Sequence, residues 1–154
     1  MFKYNFISDL GQPLGKIITR TLQKNSLPLP DFIIPIPIHR RKLKWRGFNQ
    51  AEILANCISQ NLTPGLSLSV RTDLVFRRKK TKTQMKIKSY QERIDNLHNA
   101  FSVPSQAKET LRGKKILLID DIATTGATLF ECAKILKASE AKEVFGAIIA
   151  RQKI

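Results

Sequence analysis

Residues 116–129 read ILLIDDIATTGATL: four aliphatic residues, Ile116 to Ile119, run straight into two adjacent carboxylates, Asp120 and Asp121. An uninterrupted aliphatic run predicts a strand over Lys115 to Asp120 that is buried on both faces, as in a parallel sheet. The carboxylates then fall at the carboxyl end of that strand, where open parallel sheets collect their ligands. Two neighbouring carboxylates repel each other, so the pair has a cost that something else must offset. Behind them Thr124, Thr125, Gly126, Ala127 and Thr128 lead into a helix with the apolar stripe Leu129, Cys132, Ala133 and Leu136. Such a turn gathers backbone N–H groups, hydroxyls and a helix N-terminus, which together attract an anion. Gly126 permits a tight turn and close approach of a ligand. A sugar phosphate satisfies both halves: its ribose diol on Asp120 and Asp121, its 5′-phosphate on the loop from Ala123 to Thr128. The plainer alternative is an acidic turn that merely caps a helix.

Outward from this stretch, strands and helices alternate. Leu14, Ile17, Ile18 and Leu22 recur at helical spacing and predict a first helix over 14–24. Phe32 to Ile38 reads as a short apolar strand that ends in a proline-stiffened loop. Asn49 is placed to cap a helix whose buried stripe is Ala51, Leu54, Cys57, Ile58 and Leu62. LSLSVRTDLVFRR, residues 66–78, offers a second strand. A polar, basic stretch follows from Arg77 to Asn96, then a short strand around Ala100 to Val103 and a last one over Val144 to Ala150. The pattern predicts an α/β, doubly wound, mainly parallel sheet, in one domain over residues 1–154.

Composition adds a partner class. Twenty-seven Lys and Arg against twelve Asp and Glu give a net charge of +15. That excess favours polyanions such as nucleic acid, phosphates or pyrophosphates, although a merely soluble surface would also be charged. Cys57 and Cys132 sit inside apolar helical patterns, as small core residues do. No run reaches the ~18 apolar residues of a membrane span, and the first residues lack the pattern of a secretory signal. The expected location is cytoplasmic.

The run from Ile116 to Thr128 resembles, at every defined position, the phosphoribosyl pyrophosphate (PRPP) signature of type I phosphoribosyltransferases. A narrower resemblance spans nearly the whole chain. PIPIHRRKLKWRGFNQAEILA (35–55), RRKKTKTQMKIKSYQERIDNLHNAF (77–101) and the PRPP loop are similar to the ComF/GntX family of competence-associated proteins. Members of that family begin with a small cysteine-rich zinc module. No Cys-x-x-Cys occurs here, so no zinc is expected in this chain; it is either a shortened member or one whose start lies upstream.

The resemblance implies a ligand set beyond the signature. PRPP would come with Mg2+, which the chain itself does not ligate directly, because a pyrophosphate leaving group needs cations. The loop after the first strand faces the pyrophosphate in that family, and His39, Arg40 and Arg41 stand nearest the strand end. Arg suits phosphate because its planar fork binds two oxygens at once. His39 alone is a weak signal, more often a structural residue than a base. Arg77 to Lys88 holds seven Lys or Arg in twelve residues. Its counterpart in type I enzymes is a mobile loop, here about 77–96, that closes over PRPP; the alternative is a solvated surface loop. Thr83, Gln84, Arg93 and Asn96 match recurring family positions, and Arg77, Lys79 and Gln84 are the candidate contacts. Some purine-salvage relatives carry a general-base Asp just before the second threonine of the motif. Thr124 stands there, so the loop offers no base.

Function therefore divides in three at the level of sequence. One reading is a Mg-dependent phosphoribosyltransferase acting on PRPP, or a ribose 5-phosphate binder, with an unidentified acceptor. A second is a module for DNA uptake that holds single-stranded DNA and docks a ComFA-like helicase, as the ComF resemblance implies. RRKLKWR places Trp45 among five basic residues, and with Lys79, Lys80 and Lys82 it could stack a base while lysines hold phosphates. Trp45 could equally anchor its loop to the core. The third reading is a PRPP-sensing regulator.

Overall fold

The computed structural model describes residues 2–78, 99–123 and 125–151. Its centre is β5, Lys115–Ala123, flanked by β1, Phe32–Pro35, and by β6, Glu143–Arg151; β2, Ser69–Val70, lies outside β1. All pairings in this four-stranded sheet are parallel, from Phe32↔Ile116 to Pro35↔Ile119 on one side and Lys115↔Glu143 to Ala123↔Arg151 on the other. Central position explains the aliphatic run: Ile116, Leu117, Leu118 and Ile119 are each at most 2% exposed. Burial of this kind contributes about 1.5–3 kcal/mol per side chain.

Strand alternation sends these four side chains into two cores. Ile116 and Leu118 join Cys132 and Leu136 of helix α5, Ala127–Ala138. Leu117 and Ile119 join Ile18 of α1, Phe2–Lys24, and Leu54 and Ile58 of α3, Gln50–Asn61. Helices thus cover both faces, and the doubly wound α/β expectation is met. Cys57 and Cys132 are buried free thiols, Cys132 within the first of these cores.

Several boundaries differ from the sequence reading, each for a physical reason. Helix α1 begins at Phe2, not at residue 14, and carries Gly11, Pro13 and Gly15 inside it. Those glycines are where α3 presses in: a Cβ on Gly15 would lie 2.6 Å from Cys57 Sγ, and one on Gly11 would run into Ile53 Cγ2. Strand β1 stops at Pro35, short of Ile38. Ile36 N–H still donates to Ile119 O at 2.8 Å, but Pro37 has no N–H with which to continue the ladder. The expected second strand is two. Its first part is β2; an Arg71–Asp73 ion pair of 2.7 Å marks the turn, and β3, Phe76–Arg77, pairs antiparallel with β4, Phe101–Ser102, in a separate ribbon.

RRKLKWR, a loop in the sequence reading, is a helix: α2, Arg40–Arg46, closed by Gly47 in the left-handed region at φ 82°. Before β5, a 3-10 turn at Ser105–Ala107 leads into the short helix α4, Lys108–Leu111. Among the described residues no helix is long and apolar enough to cross a membrane.

Candidate functional site

The strand order β2-β1-β5-β6 reverses direction between β1 and β5. The first crossover runs outward through α3 to β2, and the last runs the other way through α5 to β6. A crevice opens at such a switch point, beyond the carboxyl ends of the two strands. The loop after β1 and the last residues of β5 therefore meet there.

From β5 come Asp120 and Asp121. The strand continues through them to Ala123, so the backbone holds both carboxylates rather than leaving them on a loose turn. Asp121 N–H donates to Asp120 Oδ1 at 3.0 Å, and Ile122 N–H donates to Asp121 Oδ1 at 2.8 Å. The Asp120 carboxyl is pushed up to about 7, first by burial and then by the Asp121 carboxylate beside it, against the pull of Arg77. One proton shared between close carboxyls relieves their repulsion.

Ala123, 8% exposed, closes β5 instead of opening the turn, and Thr124 lies outside the described residues. Thr125 Oγ1 accepts from Ala127 N–H at 3.3 Å, and Phe130 N–H donates to Gly126 O at 3.0 Å. Gly126 has φ 78°, a conformation that a β-branched residue resists. A Cβ there would lie 3.3 Å from Phe130 Cε2. Thr128 lies in the first turn of the helix. The turn thus delivers a twelve-residue helix N-terminus beside the acidic pair.

From β1 come Pro37 to Arg41. His39 caps α2, its Nδ1 accepting from Arg41 N–H at 3.2 Å, so its ring is engaged in structure and the alternative of a free base recedes. Arg40 and Arg41 are exposed at the first turn of α2. With Asn49, Glu52 and Arg77 they line a cleft of about 730 Å³. Asn49 caps α3 as expected, accepting from Ala51 N–H at 3.2 Å, and it also donates to Ile36 O at 3.0 Å. It thereby ties the end of β1 to the start of α3.

Two points concern the basic residues. Arg77 belongs to β3, not to a mobile loop, and its guanidinium lies over the Phe101 ring at 5.2 Å. Lys79, Lys80, Lys82 and Gln84 lie outside the described residues. Sequence reasoning also misses Lys42. Partial burial pulls its ammonium below the usual value, with Arg46 and Arg77 adding to the effect and Asp121 and Asp120 opposing it. It therefore sits within the field of the acidic pair. The signal that could reveal it is helical spacing: on α2, Lys42 and Arg46 are four apart and share a face. Trp45 is 73% exposed.

A known family matches this arrangement: the phosphoribosyl transferase domain, over residues 47–153. The chain belongs to that family. Curated relatives bear out the narrower ComF likeness. The chain is 37% identical over 120 residues to Competence protein F of Haemophilus influenzae, covering 78% of this chain and 50% of that protein. It is 30% identical over 146 residues to the DNA utilization protein YhgH of Escherichia coli, 92% of this chain and 60% of that one. With Competence protein ComFC of Bacillus subtilis it shares 33% over 104 residues, 68% of this chain and 37% of that one. The chain spans about half the length of the first of these relatives. A purine phosphoribosyltransferase from Pyrococcus horikoshii superposes with TM-score 0.51 at 19% identity, covering 90% of this chain and 70% of that one. The allosteric regulatory enzyme of purine biosynthesis superposes with TM-score 0.51 at 15%, covering 88% of this chain and 25% of that one. At these identities the phosphoribosyl transferase fold is what is shared.

Proposed function

We propose that this phosphoribosyl transferase domain binds PRPP across the crevice between β1 and β5. The observation that carries the reading is one of position. A carboxylate pair and a glycine turn opening a helix stand together at the switch point of the sheet. The N–H groups and hydroxyls of Thr124 to Thr128 hold the 5′-phosphate, and Asp120 and Asp121 accept from the ribose hydroxyls. Arg40, Arg41 and Lys42 offset the charge of the pyrophosphate from across the cleft.

No group of three or more His, Cys, Asp or Glu that could hold a metal occurs among the described residues. The donor set fits Mg2+ that arrives on the pyrophosphate, since this ion is commonly held by one or two carboxylates plus substrate phosphates. Asp120 and Asp121 would face it, and it would supply charge neutralisation at the leaving group. A cation bound there would favour the ionised form of Asp120, opposing the burial and the Asp121 charge that raise its pKa. The acceptor must be deprotonated from elsewhere or need no base, because Thr124 holds the position of the loop base.

One observation favours a second role on the same chain. Trp45 projects from a seven-residue helix with five basic residues, the pairing of ring and cation that single-stranded nucleic acid uses. The names Competence protein F and DNA utilization protein agree with such a role, which would include docking a helicase-like partner.

Thermal unfolding with ribose 5-phosphate tests the main reading. The sugar phosphate should raise the melting temperature of the wild type, and Gly126→Val should abolish that protection while the variant remains folded. Protection at wild-type strength in the variant means that the turn is not the phosphate site.

A further inference from the structure

The last strand, EVFGAIIAR over Glu143–Arg151, carries no polar side chain between its two charged ends. Such a run belongs by composition to a central strand covered on both sides. Yet β6 is the outer strand of the sheet, and every one of its nine residues is at least partly exposed. Its inner side pairs with β5 at one constant register from Lys115↔Glu143 to Ala123↔Arg151, without a bulge. Its outer side offers a second row of N–H and C=O groups to no described strand. Edges of this length are usually blunted by proline, by a bulge or by an inward lysine; β6 has none of these.

We infer that β6 is a self-association edge: a second copy of this chain pairs antiparallel with it about a two-fold axis at Ala147. The sequence of the strand is complementary to its own reverse. Centred on Ala147, the pairing sets Glu143 opposite Arg151 of the second copy at both ends of the interface. It also sets Phe145 opposite Ile149, Val144 opposite Ala150 and Gly146 opposite Ile148. Directly opposed residues share a face, and opposite charges and aromatic–β-branched pairs are the favourable kinds. A slip by two residues would face Glu143 with Ile149 and leave Arg151 outside the pairing. Neither Glu143 nor Arg151 has an ion-pair partner among the described residues. The product is one continuous eight-stranded sheet with a closed, isologous interface, and the two ligand crevices open at its opposite ends.

Sedimentation velocity across the micromolar range, on the full chain, tests this pairing. The wild type should be a dimer. Glu143→Arg places like charges at both ends and should weaken dimerisation by about tenfold or more, and adding Arg151→Glu should restore it. Thermal unfolding of each variant confirms that the fold is kept. As a second reading, Ala147→Cys should cross-link into a disulfide dimer under mild oxidation. Wild type should not, because Cys57 and Cys132 are buried. A monomer at every concentration overturns the inference, as would a dimer indifferent to the charge reversal or a loss that the charge swap does not restore.

Discussion

Asp120 is where sequence, fold and chemistry meet in one side chain. It follows the buried aliphatic run of β5, and its carboxyl is pushed up to about 7 by burial and by Asp121, against an ordinary value near 3.9. Between those values the folded protein holds a proton that the unfolded chain has released. Its stability therefore falls as pH rises through that window, by at most about 1.4 kcal/mol per pH unit from this group. Asp120→Asn keeps the shape and removes the titration. The variant should melt close to wild type at pH 5 and above it at pH 8, and melting curves at the two values read the difference directly. A wild type whose stability relative to Asp120→Asn rises between pH 5 and pH 8 contradicts this account of the pair. Gly126 makes the companion point: at φ 78° the residue type is dictated by backbone geometry, independently of any ligand.

At the scale of elements, the legible parts are those governed by local pattern. The aliphatic run of β5, the Leu129–Leu136 stripe of α5 and the Asn49 cap follow from burial, helical period and hydrogen bonding within a few residues. Tertiary packing decides the rest. In α1, helix propensity argues against Gly15, yet α3 requires it, since a Cβ there would meet Cys57 at 2.6 Å. Gly15→Ala thus sets two effects against each other. Propensity favours Ala by about 1 kcal/mol, while overpacking costs about 1–3 kcal/mol. We expect net destabilisation in urea unfolding; a stabilised variant would show that the two helices can part freely. In sequence α2 looks like a loop because five charges in seven residues leave no apolar stripe. Its start and stop signals, His39 and Gly47, lie just outside it, and without the helix Lys42 has no recognisable place. In the candidate site, Asp120, Asp121 and the turn after them are legible because they are contiguous. The partners across the crevice come from β1, α2 and β3, brought together only by the sheet.

For the whole molecule, a net charge of +15 bears on partners rather than on fold. If the exposed ring of Trp45 stacks nucleobases, Trp45→Ala should weaken single-stranded DNA binding by about 1–3 kcal/mol. The dependence on salt should then stay unchanged, because stacking releases no counterions. Removing a lysine that holds a phosphate would instead lower the salt slope by about 0.7. Titrations at several salt concentrations separate the two, and a wild type that fails to bind at low salt removes the nucleic-acid role. The crevice is a separate matter, because its ligand is held by Asp120 through Thr128 and by the cations facing them. Calorimetric titration of PRPP with Mg2+ into wild type and into Asp120→Asn with Asp121→Asn is the most direct measurement of that claim. Each charge-assisted hydrogen bond removed costs about 1.5–3 kcal/mol, so affinity should fall by about a hundredfold or more in a variant that remains folded. Equal affinity in the two proteins would contradict the assignment of the site.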